Sequence, residues 1–520
     1  MKRYVLLLTC LWCYTPFALA QQAGNCQLGS ASDTLDVADV RAALFNNGGF
    51  FWRGSGNTYT VPKDGNANSM FTAGLWVGGL VDDGSHRFAG TRYGPWEFWP
   101  GPLDANGNPP DDCADHDRLY SVYDADIRAY ERDGTLTDDL RDWPHHLGAH
   151  VVDGDGISGN YDLAAGDRPE IYGDQSVWWV MNDAGGEKGW SGTPPIGLEV
   201  QVQAFAAACL PGYSANPEVV ALVNTAISQA TYYRFTVIHK GQQPLRDVYI
   251  GWAPVIDIGN AADDFVGVDT TLHMAFQYNG LDFDADNAGR DGYGDRPPAI
   301  GLILAEEIDV AFDRRDNDGD GMIDEPDESL PINGYLLANG SSAPNGNPSG
   351  TTIEPYNFMR GIWRDGLPVT FGGTGYGGTT PTKYMFPGDP VTRSFWSEEN
   401  TDGAGSSNTP GDRHDSVVSS GPFDFAPGDT TTFTLAIPWA QGVNRLHSIT
   451  KLRQAAAIAR GAVDALMQYD IRSCPAIETT DPEPEQPDPD ALGFYILRQN
   501  YPEPFSQQTI IRYEVIDTVP

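Results

Sequence analysis

The sequence predicts a mainly β protein made of antiparallel β-sandwich (Ig-like) domains, and three features support that prediction. In residues 198–206 apolar and polar side chains alternate, which is the pattern of a strand with one buried and one solvent-exposed face. Residues 232–255 and 420–442 each contain two strand patterns separated by a turn with glycine and proline. The 59 glycines and 38 prolines favour a chain with many turns, which is typical of β-rich proteins.

Two helices are expected beside the strands. Residues 33–47 predict one short N-terminal amphipathic helix, with Asp36 as the candidate N-cap and Gly48 as its stop. Residues 447–468 predict a longer helix with Ser448 as the candidate N-cap, packed on the last sandwich. The apolar stripe of this helix consists of Ile449, Leu452, Ala456, Ala459, Val463 and Leu466.

The chain length predicts several units, because 520 residues are too many for one core of ordinary size. We expect an N-terminal β-rich domain over residues 21–195 and a β-sandwich region over residues 196–474. Residues 475–493 are rich in proline and acidic residues and predict an extended linker. Residues 494–520 follow as a last, separate unit.

Charge restricts the partners. With 71 acidic against 32 basic side chains, the formal net charge is −39 at pH 7. Such a surface repels nucleic acids and anionic lipids, so we expect neither as a partner. It attracts divalent cations. No segment after the first twenty residues is apolar over the length that a membrane span requires, so no span is expected.

Residues 1–20 have the three parts of a secretory signal peptide. Lys2 and Arg3 form the basic region, residues 5–13 form the apolar region, and residues 18–20 (Ala-Leu-Ala) give the cleavage site. We therefore expect Sec-dependent export to the periplasm and a final location that is secreted or on the cell surface.

Four cysteines follow the predicted cleavage site, namely Cys26, Cys113, Cys209 and Cys474. Because an exported protein meets an oxidising compartment, two disulfides are expected, in any of three pairings. Four buried free thiols are the alternative.

The strongest chemical motif is an acidic loop within residues 313–328. Its aspartates recur at positions 1, 3 and 5 of a calcium loop, and Gly321 at position 6 suits the sharp bend. The candidate ligands are Asp316, Asp318, Asp320, Met322 and Asp327. No helical pattern flanks the loop, so we expect an isolated structural calcium site and not a paired EF-hand. A solvated acidic loop without an ion is the alternative.

Two weaker acidic segments have less regular spacing. Asp153, Asp155 and Asp162 form a second candidate calcium loop. Residues 257–265 contain a third group of aspartates, followed by Asp269. For both segments the alternative is a polar turn.

The stretch "LRQNYPEPFSQQTIIRYEV" (497–515) comes directly after the linker. It resembles the start of the type A C-terminal sorting domain of the bacterial type IX secretion system. The candidate sorting signal comprises Asn500, Tyr501, Pro502, Pro504 and Phe505. The resemblance implies recognition by the type IX machinery, and residues 494–520 are expected to be the beginning of a truncated sorting domain. A strand of a truncated Ig-like domain, or the related domain that caps flagellar hook proteins, is the alternative.

The body of the chain also resembles a known family. The segments 46–84, 98–104, 172–183, 263–280 and 383–390 are similar to large secreted proteins of the Bacteroidota and their relatives. That resemblance implies export and a surface or extracellular location, and it implies no particular activity.

Two functions are therefore expected from the sequence. The first is a non-enzymatic exported protein with calcium-stabilised β domains, used in adhesion or scaffolding. The alternative is a secreted carbohydrate-binding protein or a glycan-active hydrolase, because the aromatic residues of 93–101 and 176–180 could stack on sugar rings. Core packing of a β protein is the preferred explanation of those aromatics, because large aromatic side chains dominate such cores.

Overall fold

A computed structural model of the chain describes most residues between 24 and 468 and two short strands beyond them. The described residues are 24–52, 58–91, 94, 96–210, 214, 216–287, 289–317, 321–325, 328–338, 340, 343–405, 408–410, 414–468, 494–497 and 513–516. The predicted signal peptide (1–20), the linker (475–493) and the candidate sorting signal (500–505) lie outside them.

The fold consists mainly of β-strands. The first strands in chain order are β1 (Ser32–Leu35), β2 (Arg41–Phe45), β3 (Gly49–Phe50), β4 (Tyr59–Thr60), β5 (Ala73–Leu80), β6 (His86–Gly90), β7 (Trp99–Pro100), β8 (Tyr120–Tyr123), β9 (Val151–Val152), β10 (Arg168–Pro169), β11 (Gln175–Asn182), β12 (Leu198–Ala206) and β13 (Ala230–His239). The later strands are β14 (Leu245–Trp252), β15 (Val255–Ile256), β16 (Asp264–Asp269), β17 (Met274–Asn279), β18 (Pro298–Glu306), β19 (Ile308–Asp309), β20 (Ser329–Leu330), β21 (Gly334–Ala338), β22 (His414–Phe425), β23 (Thr430–Gln441), β24 (Phe494–Leu497) and β25 (Tyr513–Ile516).

Helices are few. The α-helices are α1 (Asp124–Asp133), α2 (Asp138–Arg141), α3 (Pro217–Ser228), α4 (Glu354–Met359) and α5 (Arg445–Gln468). Three short 3-10 helices cover Cys113–His116, His145–Leu147 and Leu163–Ala165. No helix in the described residues combines the length and the hydropathy that crossing a bilayer would require.

Two large antiparallel sheets dominate the molecule, which confirms the predicted mainly β class. A nine-stranded sheet has the order β16-β17-β18-β23-β13-β12-β11-β7, with β8 also paired to β11. A seven-stranded sheet has the order β15-β22-β14-β5-β3, with β21 paired to β22 and β6 paired to β5. Aromatic rings from the two sheets meet between them: Phe433 of the first lies 5.5 Å from Trp252 of the second, measured between ring centroids.

The four strands predicted in residues 232–255 and 420–442 form, but the two strands of each segment belong to different sheets and do not pair with each other. Strand β13 pairs with β23 in the nine-stranded sheet, and β14 pairs with β22 in the seven-stranded sheet. The short turns after β13 and β22 therefore carry the chain from one sheet to the other. The amide of Gly428 in the second turn donates to the carbonyl of His239, which holds the two crossings together.

Strand β12 has the predicted bounds, but the prediction that one of its faces is exposed to solvent is wrong. Glu199 and Gln203 are 2% and 5% exposed. Residues 124–171 lie over this face, and Gln203 donates to the carbonyl of Glu170 in this segment at 2.9 Å. Glu199 pairs with Lys240, which follows β13, at 2.5 Å. The polar side chains are thus buried with partners, as buried polar groups require.

The predicted N-terminal helix over residues 33–47 is also wrong. This segment contains β1 and β2, which pair antiparallel from Ser32–Phe45 to Leu35–Ala42. Its apolar side chains Leu35, Ala42 and Leu44 are fully buried in the main core. Burial between packed strands overrode a helical propensity that is worth only a few tenths of a kcal/mol per residue (~0.5).

The longer C-terminal helix is confirmed as α5, and all six residues of its predicted stripe are buried. Its start differs, because the residue before the helix is Asn444, whose side chain accepts the amide of His447 at 2.9 Å. Ser448 lies one turn inside, where its hydroxyl donates to the carbonyl of Pro297 at 2.6 Å. Helix α5 packs with α3 on the outer face of the nine-stranded sheet.

The expected boundary between residues 195 and 196 is corrected by strand pairing. Strand β5 from the first expected domain pairs with β14 from the second, and β11 pairs with β12 across the boundary itself. Both large sheets therefore draw strands from both sides, and one main core contains side chains from Leu35 to Trp439.

Disulfide bonding is confirmed in part. Cys26 and Cys113 are bonded, and Cys209 is disulfide-bonded as well. These bonds are compatible with a protein of an oxidising, extracellular compartment.

Candidate metal centre

Three carboxylates converge in the loop that the sequence ranked second. One carboxylate oxygen from each of Asp153, Asp155 and Asp167 lies within 4.8 Å of the other two. Within the part of the chain that the structure describes, this is the one group of three His, Cys, Asp or Glu side chains with that spacing. We name it the loop cluster.

Two glycines allow the chain to return over itself here. A Cβ atom on Gly154 would lie 2.1 Å from the carbonyl oxygen of Gly166, so the two backbones are in direct contact. Gly166 has φ +108°, a region that favours glycine. This crossing places Asp167 beside Asp153 and Asp155, although it lies twelve positions after Asp155 in the sequence.

Asp162 was predicted as a ligand and does not belong to the loop cluster. Its carboxylate accepts the amides of Ala164 (3.0 Å) and Ala165 (3.3 Å), which caps the 3-10 helix Leu163–Ala165. Asp167 takes its place in the cluster. The sequence feature that could have indicated Asp167 is a second Gly-Asp pair at 166–167, after the first at 154–155. The calcium-loop pattern considers only closely spaced aspartates and therefore misses it.

Backbone amides hold the carboxylates in place. Asp153 accepts from the amide of Gly156 at 2.6 Å, and Asp155 accepts from the amide of Ile157 at 2.7 Å and the side chain of Asn160 at 2.9 Å. Such bonds fix the orientation of acidic side chains before any cation binds.

The third carboxylate, that of Asp167, is 2% exposed. It accepts the amides of Asp162 (2.7 Å) and Gly154 (3.0 Å). These hydrogen bonds lower the pKa of Asp167 from its usual value, so the group is a carboxylate at neutral pH. The loop cluster therefore offers charged, hard oxygen atoms, which are the ligands that calcium prefers.

The loop that the sequence ranked first is described only in part, because Asp318, Asp320 and Asp327 lie outside the described residues. Asp316 accepts the amide of Gly321 at 3.0 Å, and Gly321 has φ +96° as expected for the bend. Met322, another of the predicted ligands, is 59% exposed. Whether the predicted ligands converge stays a prediction.

Carboxylates close the base of this loop and join it to the seven-stranded sheet. Glu328, 4% exposed, accepts the amides of Asn317 and of Asp324, the latter at 2.9 Å. Arg315 pairs with Asp247 of β14 at 3.1 Å and with Asp424 of β22. The loop is thus anchored at its base by paired charges.

The third acidic segment divides in the structure. Asp269 pairs with Arg453 of α5 at 2.8 Å. Asp257, Asp263 and Asp264 lie instead between the end of β15 and the start of β16, and all three are buried.

The aromatic residues mainly form core, as the second interpretation of them predicted. Trp99, Trp178 and Trp179 are at most 3% exposed. Trp96 is half-buried and stands 5.9 Å from Trp52, measured between ring centroids. A cavity of about 730 Å³ lies beside it. Its lining residues include Asn25, Cys26, Trp96, Trp99 and Glu187.

Comparison with known proteins gives no family for the chain. No protein-family model matches it, and no curated protein is significantly similar to it.

Proposed function

We propose that the protein is exported and non-enzymatic, that its acidic loops bind calcium as a structural ion, and that it serves adhesion or scaffolding at the cell surface or outside the cell. The observation that supports this most directly is the convergence of Asp153, Asp155 and Asp167. A calcium ion bound by these three carboxylates would also offset part of the electrostatic repulsion within a chain whose net charge is −39.

The ligand chemistry favours calcium. The loop cluster offers oxygen atoms on an exposed loop, and loops of this kind bind calcium with a Kd on the order of 10⁻⁴ to 10⁻³ M. Such affinity suits calcium at the millimolar levels found outside cells. The loop 313–328 would bind a second ion by the same chemistry.

Export is supported by the predicted signal peptide, by the Cys26–Cys113 disulfide and by the half-cystine at Cys209. The proposed route through the type IX machinery depends on the residues of the candidate sorting signal. The partners in this proposal are that secretion machinery and, in the final location, surface glycans or other extracellular proteins.

Calcium titration tests the proposal. In the mature chain, saturating calcium should raise the melting temperature by a few degrees, because an ion that binds the folded state alone adds about 2.7 kcal/mol at 100 times its Kd. Differential scanning calorimetry in chelator and in added calcium measures the shift.

Variants assign the shift to the loops. Asp155→Asn should remove part of the calcium-dependent rise, and Asp316→Asn should remove another part. Asp111→Asn, at an exposed position outside both loops, is the control and should keep the full rise. An unchanged melting temperature in calcium would disprove the structural-ion proposal.

A carbohydrate-binding function is the second candidate, because Trp96 and Glu187 line the 730 Å³ cavity. Trp99 is less suited to bind sugar, since its ring packs on Gly185 and Gly186. A glycan array with wild type and Trp96→Ala tests this: loss of a specific signal in the variant would favour carbohydrate binding over scaffolding.

A further inference from the structure

The cavity of about 730 Å³ beside Trp96 lies between two segments that are far apart in sequence. One wall is the N-terminal segment 24–28, and the other is the loop 186–189. Trp96 and Trp99 line it as well, so we name it the tryptophan cavity. Its volume is within the range of about 300–1,000 Å³ that is typical of small-molecule sites.

The first wall is attached to the rest of the molecule by covalent and hydrogen bonds. The amides of Gly24 and Cys26 donate to the carbonyls of Ala184 and Gly185, both at 2.7 Å. The Cys26–Cys113 disulfide joins the same segment to a 3-10 helix. Because a cross-linked segment has few alternative conformations, little entropy is lost at this wall when a ligand binds.

The second wall is held from inside the molecule by a buried ion pair. The ammonium group of Lys188 lies 2.6 Å from Oδ2 of Asp183, and the two side chains are 1% and 0% exposed. The carboxylate of Asp183 also accepts three backbone amides, those of Ile196, Gly197 and Leu198, at 2.7 to 2.8 Å. These bonds fix both ends of the loop that lines the cavity, because a buried charge is costly to separate from its partners.

Trp99 supports the second wall. A Cβ atom on Gly186 would lie 2.8 Å from the indole ring of Trp99, so the backbone of the loop rests directly on that ring. Trp99 is buried, whereas Trp96 is half-buried. The ring of Trp96 is therefore the more accessible of the two to a ligand.

The aromatic surface continues from Trp96 beyond the cavity. Trp52, also half-buried, has its ring centroid 5.9 Å from that of Trp96. Phe71 follows at 6.5 Å from Trp52, so three rings form a row. The C–H groups on one face of a sugar ring are apolar and pack against aromatic rings of this kind. A row of rings can contact successive units of a sugar chain.

The polar side chains of the lining favour an uncharged ligand rich in hydroxyl groups. Asn25 and Gln27 each offer an amide that donates and accepts, and Glu187 offers acceptors. None of the described residues that line the cavity is basic. In a chain with net charge −39, a phosphate, sulfate or carboxylate ligand would meet repulsion without a counter-charge.

We propose that the tryptophan cavity binds a neutral oligosaccharide, with one sugar unit against Trp96 and the following units towards Trp52. The inference rests on the proposed function in taking surface glycans as partners, and it adds their charge class and the direction in which the chain lies. Calcium has no part in the site, so failure of this inference leaves the structural-ion proposal standing.

Calorimetric titration of the mature chain tests the site. The probes are monomers to hexamers of β-linked glucose, xylose, mannose and N-acetylglucosamine, with heparin as the anionic comparison. At least one neutral series should bind, with affinity rising about tenfold from dimer to hexamer, because only a longer chain reaches the second ring.

Variants locate the binding. Trp96→Ala should weaken the hexamer by about tenfold or more, and Trp52→Ala should reduce the gain from dimer to hexamer. Tyr376→Ala is the matched control and should keep the wild-type affinity, because Tyr376 is an exposed aromatic residue outside the cavity lining.

Three outcomes would overturn the inference. Equal hexamer affinity in wild type and Trp96→Ala, or preference for heparin over every neutral series, would do so while leaving carbohydrate binding elsewhere on the protein in place. Absence of binding to all neutral series would overturn the carbohydrate-binding candidate as well.

Hydrogen exchange of the unaltered protein decides the matter even if Trp96→Ala does not fold. The hexamer that binds best should slow amide exchange in peptides covering residues 24–31 and 183–192. Peptides covering residues 365–380 should exchange at the same rate with and without it. Protection only outside the two walls would place the sugar elsewhere, and the proposal would be wrong.

Discussion

His239 illustrates how strongly burial acts on single residues of this protein. It ends β13 with its ring 0% exposed and packed edge-on against Phe425, at 5.4 Å between centroids. Neither ring nitrogen has a hydrogen-bond partner among the described residues. Loss of solvation therefore lowers the pKa of His239 to about 4, against an opposing effect of Asp183.

The depressed pKa predicts a defined pH dependence. Below about pH 6.5 the unfolded chain binds a proton at His239 that the folded chain does not, so stability falls as pH decreases from there towards 4. The loss totals about 3 kcal/mol and is absent above pH 6.5. His239→Leu should remove this part of the decline, which urea unfolding at pH 7.5 and 4.5 would measure.

The appropriate control is His150, whose side chain is 66% exposed. His150→Gln should keep the wild-type difference between the two pH values. If His239→Leu also keeps that difference, then His239 is not buried in its neutral form.

Helix α5 is the element in which sequence pattern and packing agree best. Its buried stripe includes Ala455, Ala456, Ala459 and Ala462, and these small side chains let the helix lie close to the nine-stranded sheet. Gly461 is on the exposed side of the same turn, and a Cβ atom there would have nothing within 4 Å.

Gly461→Ala should therefore stabilise the protein. Alanine is favoured over glycine inside a helix by about 0.8 kcal/mol, and no neighbour opposes the added methyl group. Thermal unfolding with calorimetry measures the change. Gly428→Ala is the control of opposite sign, since Gly428 has φ +96° between β22 and β23 and alanine there is strained by about 1 kcal/mol. Destabilisation by Gly461→Ala would contradict the packing of this face.

At the scale of the whole molecule, the two sheets depend on strands that are far apart in sequence. Residues from β5, β14 and β22 meet residues from β12, β13 and β23 in one core. Trp76 of β5, 1% exposed, is buried within that shared core. A fragment containing only half of the chain would leave such apolar side chains exposed to solvent.

A fragment of residues 21–195 should therefore not fold independently. It lacks β14, the long partner of β5, and β12, the partner of β11. Far-ultraviolet circular dichroism and two-dimensional amide NMR should find it unfolded or aggregated, whereas residues 21–474 should give a cooperative transition. A well-dispersed spectrum from the short fragment would restore the boundary at 195/196.

Local sequence patterns determine a substantial part of the structure. The bounds of β12, the strands of residues 232–255 and the buried stripe of α5 follow from side-chain periodicity, which acts over a few neighbouring residues. The aspartates at 153 and 155 were likewise predicted from short spacing. These features are readable because their physical causes lie within one element.

The tertiary structure decided the rest. Residues 33–47 became strands because partners elsewhere in the chain could bury them, and β13 and β14 joined different sheets. Asp167 reached the loop cluster through a contact between two glycines that are distant in sequence. These outcomes depend on the free energy of burying apolar surface against residues that are distant in sequence, and a local sequence pattern does not show which residues those are.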